Sequence, residues 1–154
     1  MEKPPGSTEP LDELTEGMRL HLRIFLLEQK KNRHIWLALE STSIVGLVDF
    51  YHEPDELFIR FICAIPPHKG TGTRLLRHLA EHGQNHNLPV IRTTVSSIDS
   101  RALKFYLQHL GFQKVDTRIK EPGFELYVVV TQPQMLLEKI QISRKRNRSK
   151  HSKE

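Results

Sequence analysis

The chain has 154 residues, of which 38% are hydrophobic, enough to bury one ordinary core and no more. A single cysteine, Cys63, excludes an internal disulfide, and the lack of any run of about 18 apolar residues excludes a membrane-spanning helix. The formal net charge of +5 is unevenly placed: residues 143–154 hold six of the 23 Lys/Arg and one of the 18 Asp/Glu, leaving seventeen of each sign elsewhere.

Residues 1–10 are polar and proline-rich, unlike a secretory leader, and read as a disordered tail. With the lone cysteine they make the cytoplasm the expected compartment. From Leu11 to about Gln29, apolar residues recur at three and four (Leu11, Leu14, Met18, Leu22, Phe25 and Leu26), which predicts a helix with Gly17 as its weak point. Three strands follow: Ile35–Leu39, Ile44–Tyr51 and, after the turn Glu53-Pro54-Asp55, the almost wholly apolar run Leu57–Ile65. Such a run is expected to be covered on both faces. Beyond Gly70-Thr71-Gly72 the spacing of Leu75, Leu76 and Leu79 predicts a helix stopped at Gly83. Val90–Val95 reads as a strand, and Asp99 or Ser100 can cap a helix carrying Ala102, Leu103, Phe105, Tyr106 and Leu110, ended by Gly111. Phe112–Val115 and Phe124–Val130 read as a hairpin around Glu121-Pro122-Gly123, and a short helix spans about Gln134–Ile142. The order predicts one α/β domain over 11–142, with a mixed sheet of about six strands and flanking helices.

The segment with the clearest chemistry is ICAIPPHKGTGTRLL, Ile62–Leu76. A strand, a glycine-bearing turn and a helix in succession bring backbone N–H groups and a helix N-terminus to bear on an anion. Lys69 and Thr73 can add side-chain donors. A tight turn with no ligand would use the same glycines. The segment is neither a Walker motif, which needs Lys-Ser/Thr after the second glycine, nor a dinucleotide fingerprint, which needs a third glycine.

One strand further on stands DSRALKFYLQHLGF, Asp99–Phe112. Together the two segments resemble the GNAT superfamily of acyl-CoA N-acyltransferases, whose Q/R-x-x-G-x-G/A loop binds the cofactor pyrophosphate and whose later helix supplies a tyrosine. The resemblance covers roughly residues 35–130. It implies acetyl-CoA held by Ile62, Cys63 and Ala64 along the pantetheine arm and by His68, Lys69, Gly70, Thr71, Gly72 and Thr73 at the phosphates. Asp99 stands at the family's Asn position, and Tyr106 would be the general acid toward the departing thiolate. The chain departs from the pattern in three places. Pro67 occupies the Q/R position, one residue is added between Tyr106 and Gly111, and one helix precedes the first strand where the family has a strand and two helices.

The activity so implied is direct attack of a primary amine, on a small molecule, peptide or protein, upon acetyl-CoA, by a monomer or homodimer without metal. The sequence offers Asp49, His52, Glu53 and Glu56 as possible bases, with water as an equal choice. His78, His82 and His86 are spaced by four, but the expected stop at Gly83 argues against a zinc face. Two other readings stand beside the enzyme. One is a non-catalytic acyl-CoA-binding or regulatory module; the other is an RNA-associated protein using the basic, disordered tail 143–154. Removing that tail is expected to leave cofactor binding intact.

Overall fold

A computed structural model describes residues 15–28, 30–65 and 70–151, with side chains described as far as Arg146. The expected N-terminal tail and helix start at Leu11, like the loop residues His68 and Lys69, lie outside the described residues. The elements follow in the expected order: α1 (Glu16–Glu28), β1 (Arg33–Glu40), β2 (Ser43–His52), β3 (Glu56–Ala64), α2 (Thr71–Asn85), β4 (Val90–Ser96), α3 (Ser100–Leu103), β5 (Gln113–Glu121), β6 (Phe124–Thr131) and α4 (Pro133–His151). Together they make an open sheet of order β1-β2-β3-β4-β6-β5. Strands linked by short turns pair antiparallel, and only β3 and β4, joined through α2, run parallel.

Helices cover both faces. On one, α2 presents Leu75, Leu76, Leu79 and Ala80 as a single stripe to Val48, Phe50, Leu57, Ile59 and Ile91, joined by Leu136 and Ile140 of α4. On the other, Met18 of α1 is fully buried against Leu47, with Phe61 and Cys63 beside them. Gly17, a weak point for helix propensity, is required by this packing, since a Cβ there would stand 2.9 Å from Cζ of Phe61.

Three features differ from expectation. Gly83 does not stop α2, which runs on to Asn85; a Cβ at Gly83 would meet the Pro133 ring at 2.9 Å, so this glycine serves the approach of α4. The edge strand β5 extends to Glu121 although its sequence is polar, because an outer strand with charged side chains faces water. And α4 continues to His151, so there is no helix boundary after Ile142 and the first nine residues of the expected disordered tail are helical.

The added residue before Gly111 is absorbed locally. After Leu103 the helix widens into a π-helical segment, Lys104–His109, in which Leu110 N–H donates to Phe105 O at 3.0 Å. Gly111, at φ 70°, then lets Phe112 N–H reach Tyr106 O at 2.9 Å, closing the helix with a left-handed cap.

Candidate active site

The parallel ladder between β3 and β4 runs only from Glu56↔Val90 to Ile59↔Thr93. There Thr93 Oγ1 donates to Ile59 O at 2.9 Å, and beyond it the strands part. Ile62, Cys63 and Ala64 keep their partners on β2, but their edge toward β4 has none. The parted strands open a cleft of about 740 Å³ that these three residues line. Gly70, Thr71, Gly72 and Thr73 close one end of it, and Asp99 and Tyr106 stand on the wall opposite β3. Nine of the residues singled out in the sequence are thereby brought to one cleft.

The end formed by α2 is built for an anion. Its first helical bond is Arg74 N–H to Gly70 O, 3.0 Å, which leaves the N–H groups of Thr71, Gly72 and Thr73 without helical acceptors. The N-cap residue is Gly70, and among the described residues no side-chain cap bond meets them. Gly70 sits at φ 78°, which turns the chain out of the loop and into the helix. Among the described residues, a Cβ at Gly70 would meet nothing within 4 Å and one at Gly72 only Phe105 Cζ at 4.0 Å. At neither position does protein packing demand glycine, and the added atom would point into free space. That is the geometry expected where a ligand must approach the backbone. The donors and the space suit the diphosphate of an acyl-CoA, and the free β3 edge suits its amide-bearing arm.

Tyr106 is 5% exposed and packs edge-on against Phe105 and Phe112. Burial, reinforced by the Asp99 carboxylate, raises its pKa well above the ordinary tyrosine value. The phenol is therefore a proton-bearing donor at neutral pH. Asp99 itself accepts from Ala102 N–H at 3.0 Å and caps α3, fixing the turn that aims Tyr106.

None of the four proposed bases lines this cleft. Asp49 is fully buried on the α1 side, where Arg33 donates to both its oxygens at 3.0 and 2.6 Å and His21 Nδ1 lies 2.6 Å from Oδ2. Arg92 holds Glu56 with two bonds of 2.9 and 2.6 Å. Glu53 accepts from Asn32 Nδ2 at 3.0 Å. His52 stands 3.1 Å from His82 Nε2. These pairings join residues 16 to 36 positions apart, or 21 for Glu53, so local sequence carries no trace of them. The cleft instead holds residues the sequence reading passed over: Thr94 on β4, Arg101 on α3, and Ile140 and Ser143 on α4. Only the strand–helix alternation hinted at the first two.

His82 and His86 do lie on one stretch of α2 and its end, but they meet His52 rather than His78, with ring centroids 4.1 to 5.0 Å apart. Desolvation, then the neighbouring imidazoles, lowers the His82 pKa to about 4. Among the described residues no group of His, Cys, Asp and Glu could hold a metal ion.

The family described as "Acetyltransferase (GNAT) family" matches residues 5–112. Among solved structures, the ribosomal-protein-S18-alanine N-acetyltransferase of Escherichia coli is similar with TM-score 0.62 at 16% identity, over 71% of this chain and 75% of that one. A GNAT family acetyltransferase from Elizabethkingia anophelis with acetyl-CoA bound gives 0.62 at 17% identity, over 84% and 94%. Arabidopsis thaliana Naa50 in complex with the bisubstrate analogue CoA-Ac-MVNAL gives 0.56 at 21% identity, over 77% and 95%. No curated protein matches the sequence.

Proposed function

The chain belongs to the GNAT acetyltransferase family, and from that premise we propose that it moves an acetyl group from acetyl-CoA to a primary amine by direct attack. The observation that carries this reading is the cleft between the parted strands. It joins a free strand edge, an uncapped helix N-terminus with two glycines open to space, and a buried neutral phenol.

When bound, acetyl-CoA supplies an acyl group activated as a thioester. The N–H groups of residues 71–73 hold the phosphates, and the β4-facing edge of Ile62–Ala64 aligns the arm and donates toward the carbonyl oxygen, where negative charge develops. As the amine nitrogen bonds to the carbonyl carbon and the carbon–sulfur bond breaks, Tyr106 would give its proton to the sulfur and regain one from water. The amine's own proton leaves to water, since all four side-chain bases are engaged elsewhere. The test is release of free thiol from acetyl-CoA across amines, polyamines, aminoglycosides and peptides with free N-termini. Turnover with any of them supports the enzyme; binding without turnover on all would make the chain an acyl-CoA-binding module.

A further inference from the structure

The basic end of α4 is exposed as far as Arg146. Two packing contacts fix its course. At its start, the Pro133 ring lies against Gly83 near the end of α2, and α4 then returns along that helix. Further on, the Lys139 side chain crosses Gly111 at the end of the π-helical segment. From Gly83 back to Thr71 is twelve residues, about 18 Å of helix, and the same distance forward from Pro133 reaches residue 145. The run Arg144-Lys145-Arg146 is thus level with the first turn of α2, where the uncapped N–H groups are. Ile140 and Ser143 line the cleft, so α4 reaches it one residue before Arg144, and the three basic side chains lie next beyond the lining. Arg144 follows Ile140 by four residues and Arg146 follows Ser143 by three, the spacings that stack side chains along one face of a helix.

One basic residue of the resembling pattern is replaced here. The rest of the chain is electrically neutral, and the loop before Gly70 carries Pro67 where the resembling pattern has a basic residue. Among the described residues the cleft offers an anion the first N–H groups of α2 with Arg60 and Arg101, while Arg74 of the same helix turn donates to Thr71 Oγ1 at 3.4 Å, and a multiply charged ligand has room for further cations. We propose that the turn Arg144–Arg146 of α4 forms the outer wall of the acyl-CoA site and binds the phosphates of its adenosine 3′,5′-diphosphate portion. The proposal rests on the acetyltransferase reading, and it reverses the expectation that the tail is dispensable for cofactor binding.

The experiment titrates the full chain and the triple variant Arg144→Gln/Lys145→Gln/Arg146→Gln with CoA, with 3′,5′-ADP and with pantetheine, which has no phosphate. The three side chains are exposed, and the melting temperature of the variant, measured beside each titration, separates lost binding from lost fold. CoA and 3′,5′-ADP should each bind at least ~10-fold more weakly to the variant, pantetheine should be unaffected, and the affinity of the full chain for CoA should fall with salt more steeply than that of the variant. Equal weakening of CoA and pantetheine would mean that the change acts through the fold, and it overturns the proposal. Unchanged CoA affinity with lost binding of a single-stranded RNA oligonucleotide assigns the turn to nucleic acid and overturns it likewise. An unmodified chain that binds no CoA overturns both this proposal and the reading beneath it; one that binds CoA as tightly as its variant overturns this proposal alone.

Discussion

Replacing Gly72 by alanine should stabilise the free protein and weaken the complex. Gly72 lies in the first turn of α2 with helical dihedrals, and an added Cβ comes no closer than 4.0 Å to any neighbour, Phe105 Cζ. Nothing opposes the helix-propensity gain of alanine over glycine, about 0.5 kcal/mol so near a helix end. For a domain of this size that is about 1–2 °C in melting temperature. The same methyl, however, stands between the backbone donors and the phosphates they are to hold. A tenfold loss of affinity is about 1.4 kcal/mol. At a concentration 100 times the parent's Kd, acetyl-CoA stabilises the parent by about 2.7 kcal/mol and such a variant by about half of that. The order of melting temperatures should therefore invert: variant above parent without ligand, parent above variant with it. Calorimetry with and without acetyl-CoA reads both. A variant that stays the more stable by the same margin at every acetyl-CoA concentration would refute the reasoning, because the methyl would then face no ligand. Gly70→Ala is the control, losing about 1 kcal/mol in the free protein because of its φ of 78°.

Three further outcomes are expected. Tyr106→Phe should lower turnover by about 10²-fold with CoA affinity little changed; turnover at the parent's rate would leave the tyrosine a packing residue. Asp49→Ala should destabilise the fold by about 3 kcal/mol in urea melts, because the fully buried Arg33 guanidinium loses two bonds and keeps only that to Glu28 at 2.9 Å, and a loss under 1 kcal/mol would contradict this. Burial holds the His82 pKa near 4, below its ordinary 6.5, and lowers that of His34, so both favour the neutral form when folded. Their contribution to stability is whole above pH 6.5 and is lost as the pH falls from there toward 4, and His82→Gln should flatten the urea midpoint between pH 7 and 5.

The order of elements was legible because each helix and central strand carries its own period: the stripe from Leu75 to Ala80, the apolar runs of β2 and β3, the Asp99 cap. The cleft was legible because its pieces are contiguous in sequence: Ile62–Ala64, Gly70–Thr73, Asp99–Tyr106. What escaped depended on distant partners. Gly83 reads as a stop until Pro133 is seen on it. One residue too many before Gly111 reads as a rotated helix end until the π-helical segment takes it up, leaving Tyr106 buried at the cleft wall. Asp49 and Glu56 read as free carboxylates until Arg33 and Arg92 arrive from other strands. The basic run after Ile142 reads as a tail because charge outweighs apolar spacing there, yet α4 continues through it to His151, with Ser143 at the cleft.

The most direct test of the central claim is calorimetric titration of the full chain with acetyl-CoA, repeated on Gly72→Leu. The account predicts saturable binding at one site per chain and its loss in the variant, with the fold intact by circular dichroism. An absence of binding to the full chain at millimolar acetyl-CoA, or equal binding by the leucine variant, would contradict it.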